Sequence, residues 1–334
     1  MGYDGKVLHR AMVQRRAQKE QREAEQEQLR QTLYQTLPRL REIDRQLRQT
    51  MFLVLKDAVA AGKDPTAAMS AIREQNRALQ EEQRQILLKN GYAADALDDT
   101  PACSLCGDTG YRGAEPCQCL KTLYTQEQIR ELSKLLHLGQ QSFDTFSLDV
   151  YSTQVWPEKG ISPRENMDLI YEICLGYARK FGNYYFNNLF LSGGPGLGKT
   201  FLSACIAKEV SQRGFSVVYD TAPQILAQFE AQKFSKEPLE GEAAEAELRR
   251  YLHCDLLIVD DWGTELTTPF AQSAFYTLIN RRLGDAYHTV INSNLSLEAV
   301  QRRYSAPIYS RIAGEYRTLT FFGEDIRQQR RNGT

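Results

Sequence analysis

The sequence has no long hydrophobic run and no surplus of charge of one sign. None of its apolar stretches approaches the roughly 20 residues of a membrane span, and the polar, charged segment 1–28 is unlike a signal peptide. Lys and Arg number 41 against 42 for Asp and Glu, so net charge directs the protein neither toward nucleic acid nor toward a membrane. We therefore expect no membrane partner.

The cysteines do not form the evenly paired set of a secreted disulfide framework. There are seven, and four of them fall between residues 103 and 119. We expect a reducing, cytoplasmic setting. Cys174, Cys205 and Cys254 stand singly in apolar surroundings and are predicted to be buried small hydrophobic residues.

Glycine and proline are scarce in residues 1–97, which consist mainly of helix-forming residues, with breaks at Pro38 and residues 62–65. The predicted helices are about 6–36, 39–60 and 66–89. The first is so polar that it is predicted to be a solvated coiled-coil arm or partly disordered. The other two carry apolar stripes, which predict a small bundle that could also dock a protein partner. The stripes are Leu40, Ile43, Leu47, Met51 and Val54, and Met69, Ile72, Leu79, Ile86 and Leu87.

Two closely spaced cysteine pairs follow this region. Cys103-Ser104-Leu105-Cys106-Gly107 has the form of a metal knuckle, and Cys117-Gln118-Cys119 supplies a second, tighter pair. Four thiolates suit a tetrahedral Zn²⁺ site, and four protein ligands leave no open position for catalysis. We predict a structural zinc ion. A disulfide pair and an iron–sulfur cluster remain alternatives.

A glycine-rich loop, Gly193-Gly194-Pro195-Gly196-Leu197-Gly198-Lys199-Thr200, lies between an apolar strand (188–192) and a helix (201–212). It fits the phosphate-binding pattern of Gly, four residues, then Gly-Lys-Thr. The loop amides and the helix N-terminus suit a polyphosphate, with Lys199 on the β- and γ-phosphates and Thr200 on Mg²⁺. The alternative is a glycine-rich turn without a ligand. The predicted ATP-binding residues are Gly194, Gly196, Leu197, Gly198, Lys199, Thr200 and Phe201.

Two further strands are predicted to end at the ligand edge of the sheet. In the predicted strand 255–261, Asp255 precedes four apolar residues and two acids; Asp260 is predicted to hold Mg²⁺ through water and Asp261 to orient the attacking water. The acids could instead cap the next helix. Strand 287–294 ends at Asn294, either a site residue or a turn residue. Between these motifs we predict a linker over 139–163 and an exposed, mobile insert over 236–247.

Five motifs carry a family resemblance. They are Gly-Gly-Pro-Gly-Leu-Gly-Lys-Thr, Leu-Leu-Ile-Val-Asp-Asp-Trp-Gly-Thr-Glu, Asn-Ser-Asn-Leu, Ile-Tyr-Ser-Arg-Ile-Ala-Gly-Glu-Tyr and Phe-Phe-Gly-Glu-Asp-Ile-Arg. Over about residues 143–328 the chain resembles the AAA+ ATPases of the DnaC/DnaI helicase-loader and IstB group, and its cysteine segment is similar to the DnaI-like loaders. The resemblance implies an α/β fold: an AAA+ P-loop NTPase with a parallel sheet, preceded by a helical N-terminal domain and a small zinc-binding segment.

The resemblance also assigns roles. Lys199 and Thr200 match the Walker A pair, and Asp260 and Asp261 match the Walker B pair. Asn294 matches the sensor-1 residue, Arg311 an arginine finger that acts on a neighbouring subunit, and Arg327 a sensor-2-like arginine. Where many AAA+ proteins have Glu, this chain has the shorter Asp261, which predicts slow hydrolysis; the nearby Glu265 could share its role.

The expected organisation is a helical partner-binding region (1–97), a cysteine segment with a helix (98–138) and an ATPase domain (139–334). The resemblance implies an ATP-dependent loader of the replicative DNA helicase that contacts single-stranded DNA and self-associates through the ATPase domain. Alternatives are an IstB-like transposition helper and a nucleotide-gated adaptor with little hydrolysis.

Overall fold

The computed structural model describes residues 3–60, 66–136 and 141–328, and the side chains of residues 50–72 lie outside that description. The predicted break at 62–65 and the stripe residues Met51, Val54, Met69 and Ile72 therefore fall outside the described residues. The chain divides into two compact units. One comprises residues 12–120, and the other comprises residues 1–11 together with 121–334.

The first unit is built from three helices and a short hairpin. They are α1 (Gly5–Thr36, whose first residues belong to the other unit), α2 (Pro38–Ala60), α3 (Thr66–Lys89), β1 (Tyr111–Arg112) and β2 (Glu115–Pro116). All three predicted helices are confirmed, with closely similar bounds. Leu33, Leu40, Leu87 and Leu97 form a small buried core. The described stripe residues contribute as expected, because Ile43 and Leu79 are also buried.

Helix α1 is ordered in spite of its polarity. Between residues 16 and 32 its side chains are mostly exposed, and its polar face contacts the segment that follows α3. The Gln26 amide donates to the carbonyl of Ala96 at 2.9 Å, and the Arg30 guanidinium pairs with Asp99 at 3.0 Å. Side-chain hydrogen bonds therefore complement the few apolar contacts that this helix offers within its unit.

The second unit is an α/β layer structure. Its elements are α4 (Gln118–Leu136), two 3₁₀ turns (Phe143–Thr145 and Leu148–Val150), α5 (Pro163–Arg179), β3 (Leu189–Gly193), α6 (Lys199–Gln212), β4 (Val217–Thr221), α7 (Ala222–Phe234), α8 (Pro238–His253), β5 (Leu256–Trp262), α9 (Pro269–Gly284), β6 (His288–Ser293), α10 (Leu297–Arg303), α11 (Ala306–Glu315) and β7 (Arg317–Phe321). The five long strands are parallel in the order β4-β5-β6-β3-β7.

Alternation along the strands builds a core on each face of this sheet. Leu189 and Leu191 point into the core that contains α5 and α6, and Phe190 points into the core formed with α7 to α11. Both faces are covered, which explains why residues 189–191 of β3 and 256–259 of β5 are continuous apolar runs. The carboxyl ends of β3, β5 and β6 meet at one edge, where the phosphate-binding loop begins.

Residues 236–247, predicted to be an exposed, mobile insert, are largely exposed as expected, and from Pro238 onward they are helical. This segment forms most of α8, which begins at Pro238 and buries Ala244, Leu248 and Tyr251. Their spacing places them on one helix face, whereas the acidic residues that suggested disorder lie on the exposed face. The predicted linker is also packed: Phe143 and Tyr151 are buried in the core beside α5.

The unit boundaries differ from the predicted division of the chain. Residues 3–11 and nearly all of α4 belong to the α/β unit, which was expected to start at 139. Leu132 and Leu136 of α4 are part of its core, so this helix completes the nucleotide-binding layer structure. Among the described residues, no helix is both long enough and apolar enough to cross a bilayer.

Candidate nucleotide and metal sites

The phosphate-binding loop connects β3 to α6 as predicted, and its glycines are needed for its shape. Gly196 and Gly198 have φ of 70° and 96°, in the left-handed region that favours glycine. A Cβ at Gly198 would lie 2.6 Å from the Tyr151 hydroxyl. Two hydrogen bonds fix the outer side of the loop: Tyr151 donates to the carbonyl of Leu197 at 3.1 Å, and the Ile326 amide donates to that of Gly196 at 3.1 Å.

Lys199 opens α6 and turns back over the loop. Its ammonium donates to the carbonyls of Gly193 and Gly194 at 2.6 and 2.7 Å and to the Asn294 oxygen at 2.8 Å. Burial lowers the pKa of Lys199 to about 8, although the carboxylates of Asp260 and Asp261 act in the opposite direction. The side chain is therefore a desolvated cation at neutral pH, and Asn294 is in direct contact with it.

Asp260 ends the buried part of β5 with its carboxylate fully engaged. The hydroxyls of Thr200 and Tyr219 donate to Oδ2 at 3.1 and 2.6 Å. The Asn292 amide and the Asp261 backbone N–H donate to Oδ1 at 3.0 and 2.9 Å. The adjacent hydroxyl and carboxylate oxygens of Thr200 and Asp260 are the donor type that Mg²⁺ selects, so these residues fit the predicted metal.

The side chain of Asp261, unlike that of Asp260, is exposed. The β5–β6 pairing is irregular between Val259 and Trp262, and Asp261 has φ of 53°, a left-handed conformation uncommon outside glycine. Its side chain is exposed and lines the cleft. Partial burial and the nearby Asp260 carboxylate raise the pKa of Asp261. The bulge thus separates two successive acids, one buried in the sheet edge and one directed at the cleft.

Glu265 does not share this position. Its carboxylate is buried, accepts the backbone N–H of Gly263 at 2.9 Å and is hydrogen-bonded by the Tyr304 hydroxyl. It does not line the cleft at the loop. These contacts stabilise the turn after β5, and they leave Asp261 as the acid exposed beside Lys199.

A cleft of about 460 Å³ opens over the loop. It is lined by the loop, Asp261, Asn294 and Arg327. Its lining also includes the apolar and aromatic side chains of Leu135, Leu136, Phe146, Val150 and Tyr151. A cavity that combines a glycine-rich loop and basic groups with apolar and aromatic side chains suits the phosphates and the base of a nucleotide.

Arg311 lies away from this cleft. It is half-buried on α11, where Nε donates to the Asn280 oxygen at 2.7 Å and the guanidinium lies 5.0 Å from the centroid of the Tyr276 ring. It is not among the residues that line the cleft of its own chain. Arg311 is therefore separated from the predicted nucleotide-site residues of the loop and of the neighbouring strand ends.

Several site residues were missed by sequence reasoning. Tyr219 and Asn292 bind the Asp260 carboxylate from neighbouring strands, and Ser203 of α6 donates to the Asn292 oxygen at 2.8 Å. Tyr151, in the predicted linker, contacts the loop. The signal for Asn292 was a polar residue directly after the apolar pair Val290 and Ile291; Tyr219 gave none, because tyrosine is ordinary in strands.

The four clustered cysteines come together as predicted. Their sulfur atoms all lie within 4.8 Å of one another. The Sγ atoms of Cys103 and Cys117 are 3.8 Å apart and those of Cys106 and Cys119 are 3.6 Å apart. Sulfurs around a tetrahedral zinc ion with Zn–S of about 2.3 Å would be separated by about 3.8 Å. All four are free thiols, and the cluster fits zinc.

Buried Asp108 braces this cluster. Its carboxylate accepts the backbone N–H groups of Ala102 and Cys103 at 3.1 and 2.9 Å and forms ion pairs with Arg15 and Arg22 of α1. The polar helix α1 therefore holds the first knuckle in place. Cys174, Cys205 and Cys254 are buried elsewhere, as predicted.

The sheet order, the loop after β3 and the acid at the end of β5 define an AAA+ P-loop fold. Residues 184–330 match the model of the IstB-like ATP binding protein family (IstB_IS21). The chain thus carries an IstB-like ATP-binding domain, preceded by a helical region and a cysteine cluster.

Individual relatives share this domain. A protein assigned as the insertion-sequence ATP-binding protein y4pL of Sinorhizobium fredii is 27% identical over 151 residues, 43% of this chain and 58% of that protein. The replicative helicase loader DnaC of Escherichia coli is 25% identical over 142 residues, 42% of this chain and 56% of that protein. The chain therefore spans about half the length of the curated relatives that it matches. The solved structure of DnaI has a TM-score of 0.44 at 18% identity, covering 57% of this chain and 92% of that one.

Proposed function

We propose that this protein is an ATP-dependent loader of a replicative DNA helicase, acting in the cytoplasm during bacterial DNA replication. The observation that carries the nucleotide part is that Lys199, Thr200 and Asp261 line one cleft, where the Thr200 hydroxyl also donates to the buried Asp260 carboxylate. The loader part is supported by the helical unit and cysteine cluster that precede the ATP-binding domain, and by helicase loaders among the relatives.

In this proposal ATP binds with its phosphates on the loop and its base toward Phe146 and Tyr151. Lys199 exchanges its carbonyl partners for the β- and γ-phosphates, and Arg327 adds positive charge at the rim. Thr200 and Asp260 would hold Mg²⁺, which when bound neutralises charge on the phosphate oxygens. Asp261 orients the attacking water. Its short side chain reaches less far than glutamate, so we propose slow hydrolysis.

Arg311 is proposed to complete the site of a neighbouring subunit. An arginine that stabilises the transferring phosphoryl group must reach the γ-phosphate, and Arg311 does not line its own cleft. The cysteine cluster is proposed to hold one structural zinc ion. Single-stranded DNA would be contacted by the ATP-binding unit, with α7 and Arg302 as candidates; Arg303 already donates to the Glu265 carbonyl at 2.7 Å.

A second candidate is favoured by a specific observation. The family model matched by residues 184–330 is named for IstB-like proteins, and one relative belongs to an insertion sequence. A transposition helper ATPase would share the cleft and the DNA contact, but its partner would be a transposase. The third candidate is a nucleotide-gated adaptor that binds ATP and hardly hydrolyses it.

One set of measurements separates these candidates. For a loader we expect ATP turnover that changes when single-stranded DNA is added, and capture of the host's replicative helicase by the full chain. Lys199→Ala should abolish tight ATP binding, because it removes the main cation on the phosphates. Wild-type-like ATP binding by Lys199→Ala would refute the cleft as the nucleotide site. Binding without turnover would favour the adaptor, and capture of a transposase would favour the helper.

A further inference from the structure

The Asp260 carboxylate receives hydrogen bonds from outside the sequence motifs as well as from within them. It is only 4% exposed, so each of its lone pairs must be satisfied by the protein or by an ion. Thr200 belongs to the phosphate-binding loop. The second hydroxyl, that of Tyr219, comes from the neighbouring strand β4, and it makes the shorter of the two contacts to Oδ2.

The position of Tyr219 follows from the strand register. In the parallel pair β4–β5, Thr221 is opposite Asp260. Tyr219 precedes Thr221 by two residues, so its side chain lies on the same face of the sheet as that of Asp260. Its phenol ring spans that distance along the sheet and places the hydroxyl 2.6 Å from Oδ2. A long side chain that carries its donor at the tip is needed at this position.

The Tyr219 hydroxyl donates to a carboxylate oxygen, a hydrogen bond that is stronger than one between two neutral groups. Together with Asn292 on Oδ1 at 3.0 Å, it fixes both oxygens of Asp260. The carboxylate plane is then set by the neighbouring strands β4 and β6.

We propose that Tyr219 is a positioning residue for the metal–nucleotide complex: it holds the Asp260 carboxylate in the orientation that Mg²⁺ bound with ATP requires. This inference rests on the proposed ATPase function and adds a residue that the family motifs do not contain. Without the hydroxyl, the carboxylate loses one of two donors to Oδ2, and only Thr200, itself a proposed metal ligand, remains there.

The chain contains a matched control. Tyr251 of α8 donates to Asp220 Oδ2, also at 2.6 Å. Asp220 is the residue after Tyr219 in β4, but its carboxylate accepts from the Tyr251 hydroxyl and the backbone N–H of Thr221, and neither bond involves Asp260 or the loop. Tyr219→Phe and Tyr251→Phe therefore each delete one hydroxyl from a buried tyrosine–aspartate pair, and only the first deletion reaches Asp260.

The test uses the full chain and a fluorescent ATP analogue. Affinity is measured in EDTA and over a Mg²⁺ series, followed by ATP turnover over the same series. For Tyr219→Phe we expect unchanged affinity in EDTA and a rise of about tenfold in the Mg²⁺ concentration giving half of the metal-dependent effect, the scale of one lost hydrogen bond to a charged group. Tyr251→Phe should follow the wild-type curve.

The possible outcomes distinguish failure of the Tyr219 inference from failure of the proposed function. A wild-type Mg²⁺ curve for Tyr219→Phe would overturn the inference, and so would an equal shift in Tyr251→Phe, because that indicates general loosening of β4. Normal affinity in EDTA shows that the loop of the variant is intact. Failure of the wild-type protein to bind the analogue would instead refute the proposed function.

Discussion

The burial of Lys199 lowers its pKa and should therefore make the affinity for ATP depend on pH. Its pKa is lowered to about 8 by burial, whereas bound phosphates would favour the charged form. Below pH 8 the free protein already carries the proton, so ATP affinity should be flat. Above pH 8 binding must take up a proton, and affinity should fall by about tenfold per pH unit. Calorimetry between pH 7 and 9.5, in buffers of different ionisation enthalpy, measures both quantities.

The control for this pH dependence is Lys199→Ala. Its residual binding should show no decline and no proton uptake over the same range. A wild-type affinity that is constant from pH 7 to 9.5 would contradict the assignment of Lys199 as the phosphate-binding cation.

Arg311 provides a second test at the scale of single residues. Because it lies outside its own cleft, Arg311→Ala should bind ATP normally and lose turnover by roughly a thousandfold, the range found for arginine fingers. Mixing it with Lys199→Ala should restore part of the activity, since one variant supplies an intact site and the other an intact arginine.

The mixing experiment has an internal control. The double variant, Lys199→Ala with Arg311→Ala in one chain, should restore nothing when added to either single variant. Normal assembly without recovery at any mixing ratio would exclude action between subunits. Loss of ATP binding in Arg311→Ala would show instead that its contact with Asn280 supports the fold.

The motif residues were predictable because each is tied to a sequence pattern. Lys199, Thr200 and Asp260 follow apolar strands, and the ends of parallel strands meet at one edge. Tyr219 and Asn292 are different. Their role depends on the register of β4 and β6 against β5, a non-local property that one sequence does not specify.

At the scale of elements, the spacing of apolar residues predicted helices and strands correctly where the segment was also rich in apolar residues. The loop helix α6 was found because its apolar residues recur at helical spacing, and strand β5 because its four apolar residues are uninterrupted. Helix α8 was missed because Gly241 and its acidic residues outweighed three apolar positions. Strand β7 was not predicted: it alternates exposed and buried residues at the sheet edge, and its pairing with β3 only forms in three dimensions.

The cysteine segment gives the prediction at this scale. Protein purified without chelator should contain about one zinc per chain, and Cys103→Ser combined with Cys106→Ser should lose it. This short segment has no hydrophobic core of its own, and without the ion its cysteines cannot hold it folded. Residues around 100–120 should therefore become sensitive to protease. ATP affinity should stay within about twofold of wild type, because the cluster and the cleft belong to different units.

Cys174→Ala serves as the control, since Cys174 is a buried thiol outside the cluster; it should retain the zinc. A brown protein that absorbs visible light would identify an iron–sulfur cluster. Unchanged zinc content in the double serine variant would exclude the predicted ligands.

For the whole molecule, we predict that the helical unit binds the helicase and that the α/β unit binds ATP. The unit boundaries indicate which fragment should be used to test this prediction. Residues 3–11 pack in the α/β unit, so a fragment that begins at residue 1 would expose Val7 and Ala11, which are buried in the full chain. We predict that a fragment of residues 12–120 captures the replicative helicase without ATP. Affinity purification with purified helicase measures this directly.

The full-length Lys199→Ala variant is the companion to that fragment. It should also capture the helicase, because the helical unit is intact and needs no nucleotide. If only the ATP-bound full chain captured the helicase while 12–120 captured nothing, the partner surface would have to lie in the α/β unit.

The packing of residues 3–11 has a consequence for synthesis on the ribosome. Asp4 is buried, its amide donates to the Tyr124 hydroxyl at 3.0 Å, and its carboxylate accepts from Arg250 at 2.6 Å across 246 positions of the chain. The unit of residues 12–120 is synthesised before residues 121–328 and can fold before them. Residues 3–11 are synthesised earlier still, but their contacts must wait for α4 and α8, because long-range contacts form only after the intervening chain exists. Residues 3–11 are thus translated before the helical unit and reach their native position after it.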